Sequence, residues 1–315
     1  MKTIDIVVPC YNEEDVLEMF YRKSQEIYEK IEGYSFNYIF VNDGSRDNTY
    51  HILRSLAGEF SNIQYISFSR NFGKEAAVYA GLCHSYSDYC ILMDADLQHP
   101  PSLVPEMIKK IEEGYDCCAA MRKNRDGESK IKSMFSSLYY KISNKITDVD
   151  LTQNATDFRI MSHQMIENIV ELKEKDRFAK GLFAWVGYET AWISYENVER
   201  IAGDTKWSFK SLFTYALTGI TSFSVYPLKF VTVSGLFISL MAFLGVIVTL
   251  IRKFFLGINV SGFASIMIAI FFLGGFVEFS IGILGEYISK IYIEAKDRPI
   301  YIIKETNCAS KKDAD

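Results

Sequence analysis

Apolar residues fall into two regimes along this chain. In the first, short runs rich in β-branched and aromatic residues recur at 4–9, 36–41, 63–68 and 89–93, and each reads as a strand closed by a polar turn. Between them the spacing becomes helical. Asn12 is placed to cap a helix whose first turn carries Glu13, Glu14 and Asp15, matching the helix dipole. A second helix is expected from about Asp47, and a third, made largely of small residues, over 75–82. A fourth opens at Ser102 and Leu103 behind Pro100 and Pro101. Strands and helices alternating in this way predict βαβ units and a mostly parallel sheet, an α/β fold.

The second regime begins near residue 208. Residues 208–226 read as an aromatic-rich helix lying along a membrane interface. Residues 231–251 then run for 21 positions without a charge, enough to cross a hydrocarbon core of about 30 Å at about 1.5 Å per residue. A second apolar stretch, 262–285, holds one acid, Glu278, and only a short connection separates the two, so they predict a hairpin. Lys206, Lys210 and Lys229 precede the hairpin; Lys290, Lys296, Arg298 and Lys304 follow it, which favours both ends on the cytoplasmic side of a cell membrane. Residues 130–147 form a further amphipathic pattern, with Ile131, Met134, Phe135, Leu138, Ile142 and Ile146 at helical spacing. It suits either a membrane surface or the domain core. The resulting division is a soluble domain over 1–207, an interfacial helix over 208–229, a membrane hairpin over 230–285 and a tail over 286–315 expected to be disordered beyond Ile303.

Composition narrows the picture modestly. A formal net charge of −5 gives no argument for a nucleic-acid partner. Six cysteines without a C-x-x-C pair read as reduced residues, several of them in the core. No cleavable signal is expected, because Lys2 precedes only a short strand-like run containing Asp5.

Candidate chemistry gathers where the fourth strand ends, at Asp94-Ala95-Asp96-Leu97-Gln98. Paired carboxylates offer hard oxygen ligands of the kind Mg²⁺ or Mn²⁺ take together with substrate phosphates. Taken alone, the pair reads as readily as acids capping the next helix. Polar turns also end the other strands, at 11–13, 43–45 and 70–74, and in an open α/β sheet ligands bind beyond the strands' carboxyl ends. Neither G-x-G-x-x-G after the first strand nor G-x-x-x-x-G-K-[ST] occurs, so a dinucleotide fold and a P-loop lack their fingerprints.

Five segments in order resemble a known set: Val7-Val8-Pro9-Cys10-Tyr11-Asn12-Glu13-Glu14, Val41-Asn42-Asp43-Gly44-Ser45, Asp94-Ala95-Asp96-Leu97-Gln98, Asp157-Phe158-Arg159, and Arg200-Ile201-Ala202-Gly203-Asp204-Thr205-Lys206. They resemble family 2 glycosyltransferases of the GT-A fold, and more closely the polyprenyl-phosphate glycosyltransferases, which include dolichyl-phosphate mannose synthases and bactoprenol glucosyltransferases. The hairpin ending Gly285-Glu286-Tyr287-Ile288 and the run Asp297-Arg298-Pro299 resemble the bacterial subgroup. Thr205 stands where that family usually has serine, and no Q-x-x-R-W motif occurs, unlike in processive polysaccharide synthases.

The resemblance implies transfer of a hexose, glucose from UDP-glucose first, to undecaprenyl phosphate. A GDP-mannose or other UDP-sugar donor stays open, as does a degenerate nucleotide-sugar-binding scaffold. It implies Asp94 and Asp96 as ligands of Mg²⁺ or Mn²⁺, and Gln98, Pro9, Tyr11, Glu13 and Asp43 around the donor, with a turn-forming role for Asp43 equally open. Asp157 matches an acid given a catalytic role, acting as a base or as a positioning group. Arg122, Arg200 and Lys206 are expected to clamp the acceptor phosphate. A homo-oligomer assembled through the hairpin is also expected.

Overall fold

The computed structural model describes residues 1–123, 140–196 (apart from 142, 148 and 151), 218–255 and 262–308. The chain runs β1 (Lys2–Cys10), α1 (Leu17–Tyr28), β2 (Tyr34–Asn42), α2 (Thr49–Glu59), β3 (Ile63–Phe68), α3 (Lys74–Cys83), β4 (Tyr89–Leu92) and, behind a single 3₁₀ turn, α4 (Val104–Glu112). It continues through β5 (Cys117–Arg122), β6 (Ala155–Ser162), α5 (His163–Glu171), α6 (Ala179–Trp185) and β7 (Thr190–Tyr195). Two long helices, α7 (Tyr226–Phe255) and α8 (Phe263–Ala295), precede a last strand, β8 (Ile303–Thr306).

Eight strands form one sheet in the order β7-β5-β6-β4-β1-β2-β3-β8. Strand β1 lies parallel to both β2 and β4, β2 to β3, and β5 to β7. Strand β6 is antiparallel to β4 and β5, and β8 is antiparallel to β3. The expected parallel α/β sheet is therefore present, with two reversed strands that no local pattern announces.

Alternation along β1 explains the layers. Ile4, Ile6 and Val8 pack into one apolar cluster with Leu17, Phe20, Leu53 and Met107, while Val7 enters the opposite cluster with Ala76, Ala77, Ala80 and Met165. Both faces are covered, so the strand reads as a continuous apolar run. The small residues of α3 let it approach closely: a Cβ on Gly81 would lie 2.3 Å from Val7 Cγ1.

Three expectations need correction. Asn12 does not cap α1; it adopts φ 53° and its Oδ1 accepts the Arg46 N–H (2.9 Å), so the helix starts only at Leu17. The interfacial helix does not run into the first span. Residues 218–223 are helical, the chain breaks at Ser224 and Val225, and α7 starts afresh at Tyr226 with Pro227 in its first turn, where proline's missing N–H costs nothing. The tail after Ile303 is not disordered where it is described: β8 pairs with β3, and Glu305 accepts hydrogen bonds from Tyr50 and Tyr65, both 2.6 Å. Residues 130–139 and 208–217 of the two amphipathic stretches lie outside the described residues.

Helices α7 and α8 are long and apolar enough to cross a membrane. Many of their large side chains stay exposed, Leu236 (73%) and Phe271 (72%) among them, unlike those of a buried core pair. Helix α8 continues past Gly285 and docks on the sheet-bearing part of the chain. Lys290 Nζ pairs with Asp176 (3.0 Å), Lys175 Nζ with Asp297 (3.0 Å), and the Tyr287 hydroxyl donates to the Ser224 carbonyl (2.6 Å). Tyr301 then stacks on Phe68 at 5.0 Å, and the chain enters β8. All six cysteines are free thiols, as expected.

Candidate active site

Parallel pairing of β1, β2, β3 and β4 brings their carboxyl ends to one edge. The turns after β1 and β2 are laced together there. Asn12 N–H donates to Ser45 Oγ (3.0 Å), Glu13 N–H to Thr49 Oγ1 (2.8 Å), and Asn48 N–H to Glu14 Oε2 (2.9 Å). Pro9, Tyr11, Glu13 and Asp43 all belong to this edge. Asp43 is almost wholly buried, and its two carboxylate oxygens accept the N–H groups of Phe72 (2.6 Å) and Gly73 (2.9 Å). Burial pushes its pKa up against those two hydrogen bonds. Its visible work is to hold the β3–α3 turn, the turn-forming alternative left open above. Gly44 makes that contact close: at φ 63°, a Cβ there would lie 2.3 Å from the Arg70 carbonyl carbon.

The reversed strand β6 supplies the next acid. Leu92 of β4 registers with Arg159 of β6, so running β4 forward two residues and β6 back two brings Asp94 opposite Asp157. A lysine joins them. Lys74, the first residue of α3, places its Nζ 2.8 Å from Asp94 Oδ1 and 2.8 Å from Asp157 Oδ2. The loop beyond β4 is tightly built around this pair. Asp94 N–H donates to His99 Nδ1 (3.0 Å), Gln98 N–H to Asp96 Oδ1 (3.1 Å), and Leu97 is held at φ 58° although non-glycine residues seldom adopt that region. His99 is buried, with its ring stacked on Phe158 at 5.2 Å. Gln98 Oε1 accepts from Arg122 Nη2 (3.2 Å), which ties the end of β5 to the same loop.

Electrostatics fix the charge states. Burial would lift the Asp157 pKa, but the charges of Lys74 and Lys180 and the hydrogen bond from Lys74 hold it well below the usual carboxylate range. Asp94 is likewise held down: burial and the neighbouring Asp157 act upward, Lys74 and His99 downward more strongly. Burial opposes the charge on Lys74, yet Asp157 and Asp94 raise its pKa above the lysine range. Burial lowers His99, and because its Nδ1 accepts the Asp94 N–H, the neutral ring carries its proton on Nε2.

Five expected residues thus converge: Asp94, Asp96, Gln98, Arg122 and Asp157. Arg200 and Lys206 lie outside the described residues. Two participants escaped the sequence reading, Lys74 and His99. His99 sits inside the loop already singled out, and Lys74 closes the polar turn 69–74, but neither has a motif of its own. Arg159 makes no side-chain bond to these carboxylates: its guanidinium lies 3.9 Å over the Phe183 ring and donates to the carbonyls of Thr156 (3.2 Å) and Asp157 (3.4 Å). Among the described residues no three His, Cys, Asp or Glu side chains form a preformed metal cage.

Known proteins resemble the chain over its length. CsbB of Bacillus subtilis, whose name assigns it only to the glycosyltransferases, is 45% identical over 98% of this chain and 93% of its own. A prophage bactoprenol glucosyl transferase homolog of Escherichia coli is 41% identical, covering 96% and 98%. Glucosyl-3-phosphoglycerate synthase of Mycobacterium tuberculosis, solved with Mn²⁺, UDP-glucose and phosphoglyceric acid, matches at a TM-score of 0.46 and 20% identity over 70% of this chain and 78% of that one. Residues 5–170 match the family described as glycosyl transferase family 2, and with relatives this similar across nearly the whole chain, the protein belongs to glycosyl transferase family 2.

Proposed function

We propose that the protein transfers glucose from UDP-glucose to undecaprenyl phosphate at the cytoplasmic face of a cell membrane, inverting the anomeric centre. The observation that carries this reading is the meeting of Asp94 and Asp157 around Lys74 at the sheet edge, in a chain whose near-full-length relatives include bactoprenol glucosyl transferases.

The donor set suits a divalent ion. Asp94 and Asp96 are hard oxygen ligands two positions apart on one loop, a set of the kind that binds Mg²⁺ or Mn²⁺ together with substrate phosphates. Asp94 and Asp96 would hold Mg²⁺ or Mn²⁺, which when bound would supply Lewis-acid stabilisation of the leaving oxygen. Pro9, Tyr11 and Glu13, on the neighbouring turn, are proposed to face the nucleoside, and Gln98 to orient the donor beside Asp96.

The acceptor dictates the remaining chemistry. A phosphate monoester has a second pKa of about 6, so near neutral pH its oxygen is already anionic and needs no strong base. Asp157, with its depressed pKa, is a poor proton acceptor and suits a positioning role through Lys74. What the site must supply is positive charge to bring two anions together in line. Arg122, held by Gln98, is the described candidate, and Arg200 and Lys206 are proposed to join it. Helices α7 and α8 then hold the edge at headgroup level, where a lipid-borne phosphate arrives, and their exposed apolar faces suit lipid and a second copy of the hairpin.

Purified protein given radiolabelled UDP-glucose, GDP-mannose and other donors with undecaprenyl phosphate tests this. Glucosyl transfer that is lost on chelation, and in Asp96→Asn with folding retained, is the expected result. Preference for GDP-mannose would overturn the donor, and transfer unaffected by chelation would overturn the mechanism.

A further inference from the structure

Lys74 belongs to no motif recognised above, yet its placement is among the most heavily constrained in the molecule. Its turn is gripped from three sides. Asp43 takes the N–H groups of Phe72 and Gly73, the Ser69 N–H donates to the Ile302 carbonyl (3.0 Å), and the Arg70 guanidinium lies 3.9 Å over the Phe72 ring. Gly73 stands at φ 99°, a conformation other residues avoid, and turns the chain directly into α3 so that the lysine is its first residue. The result is an ammonium at 2.8 Å from each of two carboxylates contributed by different strands.

No other described cation is positioned to do this. His99 turns its Nδ1 to the Asp94 N–H and its ring face to Phe158. Arg159 turns its guanidinium to Phe183 and to backbone carbonyls, and Lys180 donates to the Ala155 carbonyl (2.9 Å). Nor is Lys74 sealed in: its side chain is 39% exposed and that of Asp94 28%, so the ammonium can swing on its flexible stem and a ligand can reach both groups.

We propose that Lys74 is the resident counter-ion of the donor site: it occupies the position between Asp94 and Asp157 until the divalent ion arrives with the donor, then yields Asp94 to the ion and turns its ammonium to the diphosphate. Two carboxylates this close repel unless a cation stands between them. A divalent ion alone must displace a well-placed ammonium that then has no new partner. Metal with a nucleoside diphosphate releases the lysine onto phosphate oxygens, so the exchange is favourable only when both come together. The device keeps the metal from settling in the site ahead of its substrate.

This inference rests on the metal-assisted reading above, and its test uses binding so that the two can fail separately. Mn²⁺ affinity is measured on the full-length protein in detergent by calorimetry or the Mn²⁺ spin resonance signal, with and without UDP. Expected for Lys74→Met is Mn²⁺ alone binding at least about tenfold tighter than in wild type, about 1.4 kcal/mol, with a smaller gain from UDP. Lys74→Arg, which keeps the charge, stays near wild type. A folded Lys74→Met that binds Mn²⁺ alone no tighter than wild type overturns the proposal; a merely structural ion pair would lower the melting temperature and leave metal affinity unmoved. Should Lys74→Met fail to fold, wild type decides: UDP raising Mn²⁺ affinity more than about tenfold is expected, and a smaller gain overturns it. A wild-type protein that binds no metal even with UDP refutes the metal-assisted reading itself.

Discussion

Gly44 offers a measurement of how the site's turns are coupled, because two other glycines supply its controls. Gly33 has φ 84° with nothing within 4 Å of a built Cβ, whereas Gly44 has φ 63° and backbone atoms of Arg70 and Asn71 at 2.3–2.8 Å. Gly33→Ala therefore reports the dihedral alone, about 1–2 kcal/mol. Gly44→Ala adds an overpacking term of about 1–3 kcal/mol against backbone that cannot rotate away. Gly81→Ala, whose clash is with the Val7 side chain, reports packing without left-handed backbone. At about 2–4 °C per kcal/mol for a domain of this size, Gly44→Ala melts roughly 2–12 °C below Gly33→Ala. Turnover separates them further. Relief of the clash moves Arg70 and Asn71, hence the Phe72 and Gly73 amides that Asp43 holds, hence Lys74. A displacement approaching 1 Å at an aligned site costs up to about a hundredfold in rate, so glucosyl transfer by Gly44→Ala falls at least about tenfold while Gly33→Ala keeps the wild-type rate. Equal melting temperatures and equal turnover in the two variants would refute the coupling.

Three further outcomes follow from the same geometry. The acid limb of kcat/KM tracks the acceptor's second ionisation near about pH 6, because Asp94 and Asp157 are held below the usual carboxylate range; a limb near about pH 4 would instead assign it to an enzyme acid. For stability the depressed acids contribute above an unfolded pKa of about 4 and lose that contribution only as pH falls through their folded values. Lys74, raised, contributes below about 10 and loses it as pH climbs further, so the melting difference between wild type and Lys74→Met stays flat from about pH 5 to pH 9. Deleting 231–285 while keeping the tail weakens membrane association and transfer to long-chain lipid but leaves UDP binding in place, as read by flotation and calorimetry; full lipid transfer in membranes would contradict the tethering role.

The four parallel strands at the centre were legible because each is largely buried on both faces and so appears as a mostly apolar run, with few polar residues such as Asp5 and Asn37 inside it. Residues 63–68 matched β3 to the residue. Two reversed strands were not legible for opposite reasons. β6 carries Thr156, Asp157 and Arg159 among its apolar residues, and its Arg159 is buried only because Phe183 and backbone carbonyls receive the guanidinium, a tertiary arrangement with no local trace. β8 is polar at three of its four positions, and its pairing with β3, braced by the hydroxyls of Tyr50 and Tyr65 donating to Glu305, is a tertiary arrangement. Asn12 misled for a third reason: its side chain had the chemistry of a helix cap, but the Arg46 amide across the cleft competed for the same oxygen.

Site residues divide along the same line. Asp94, Asp96 and Gln98 are neighbours in sequence, so their spacing alone carried information, and Asp157 was found only through resemblance to a family. Its place opposite Asp94 follows from the Leu92–Arg159 register, a property of pairing between segments more than sixty residues apart. Lys74 depends on three such relations at once: the β4–β6 register, the Asp43 grip on the turn before α3, and the returning tail at Ile302. The tail matters most for the membrane reading. Helix α8 leaves the apolar zone and pairs with Asp176 through Lys290; beyond its end, Asp297 pairs with Lys175, Tyr301 stacks on Phe68, and the Ile302 carbonyl accepts the N–H of Ser69, five residues before Lys74. The tail that follows a helix long and apolar enough to cross a membrane is thus bonded to the turn that presents Lys74. Under the proposed function, a lipid-borne phosphate would meet a turn tied through the tail to a membrane helix, and that linkage would let an anionic acceptor be aligned without a base to activate it.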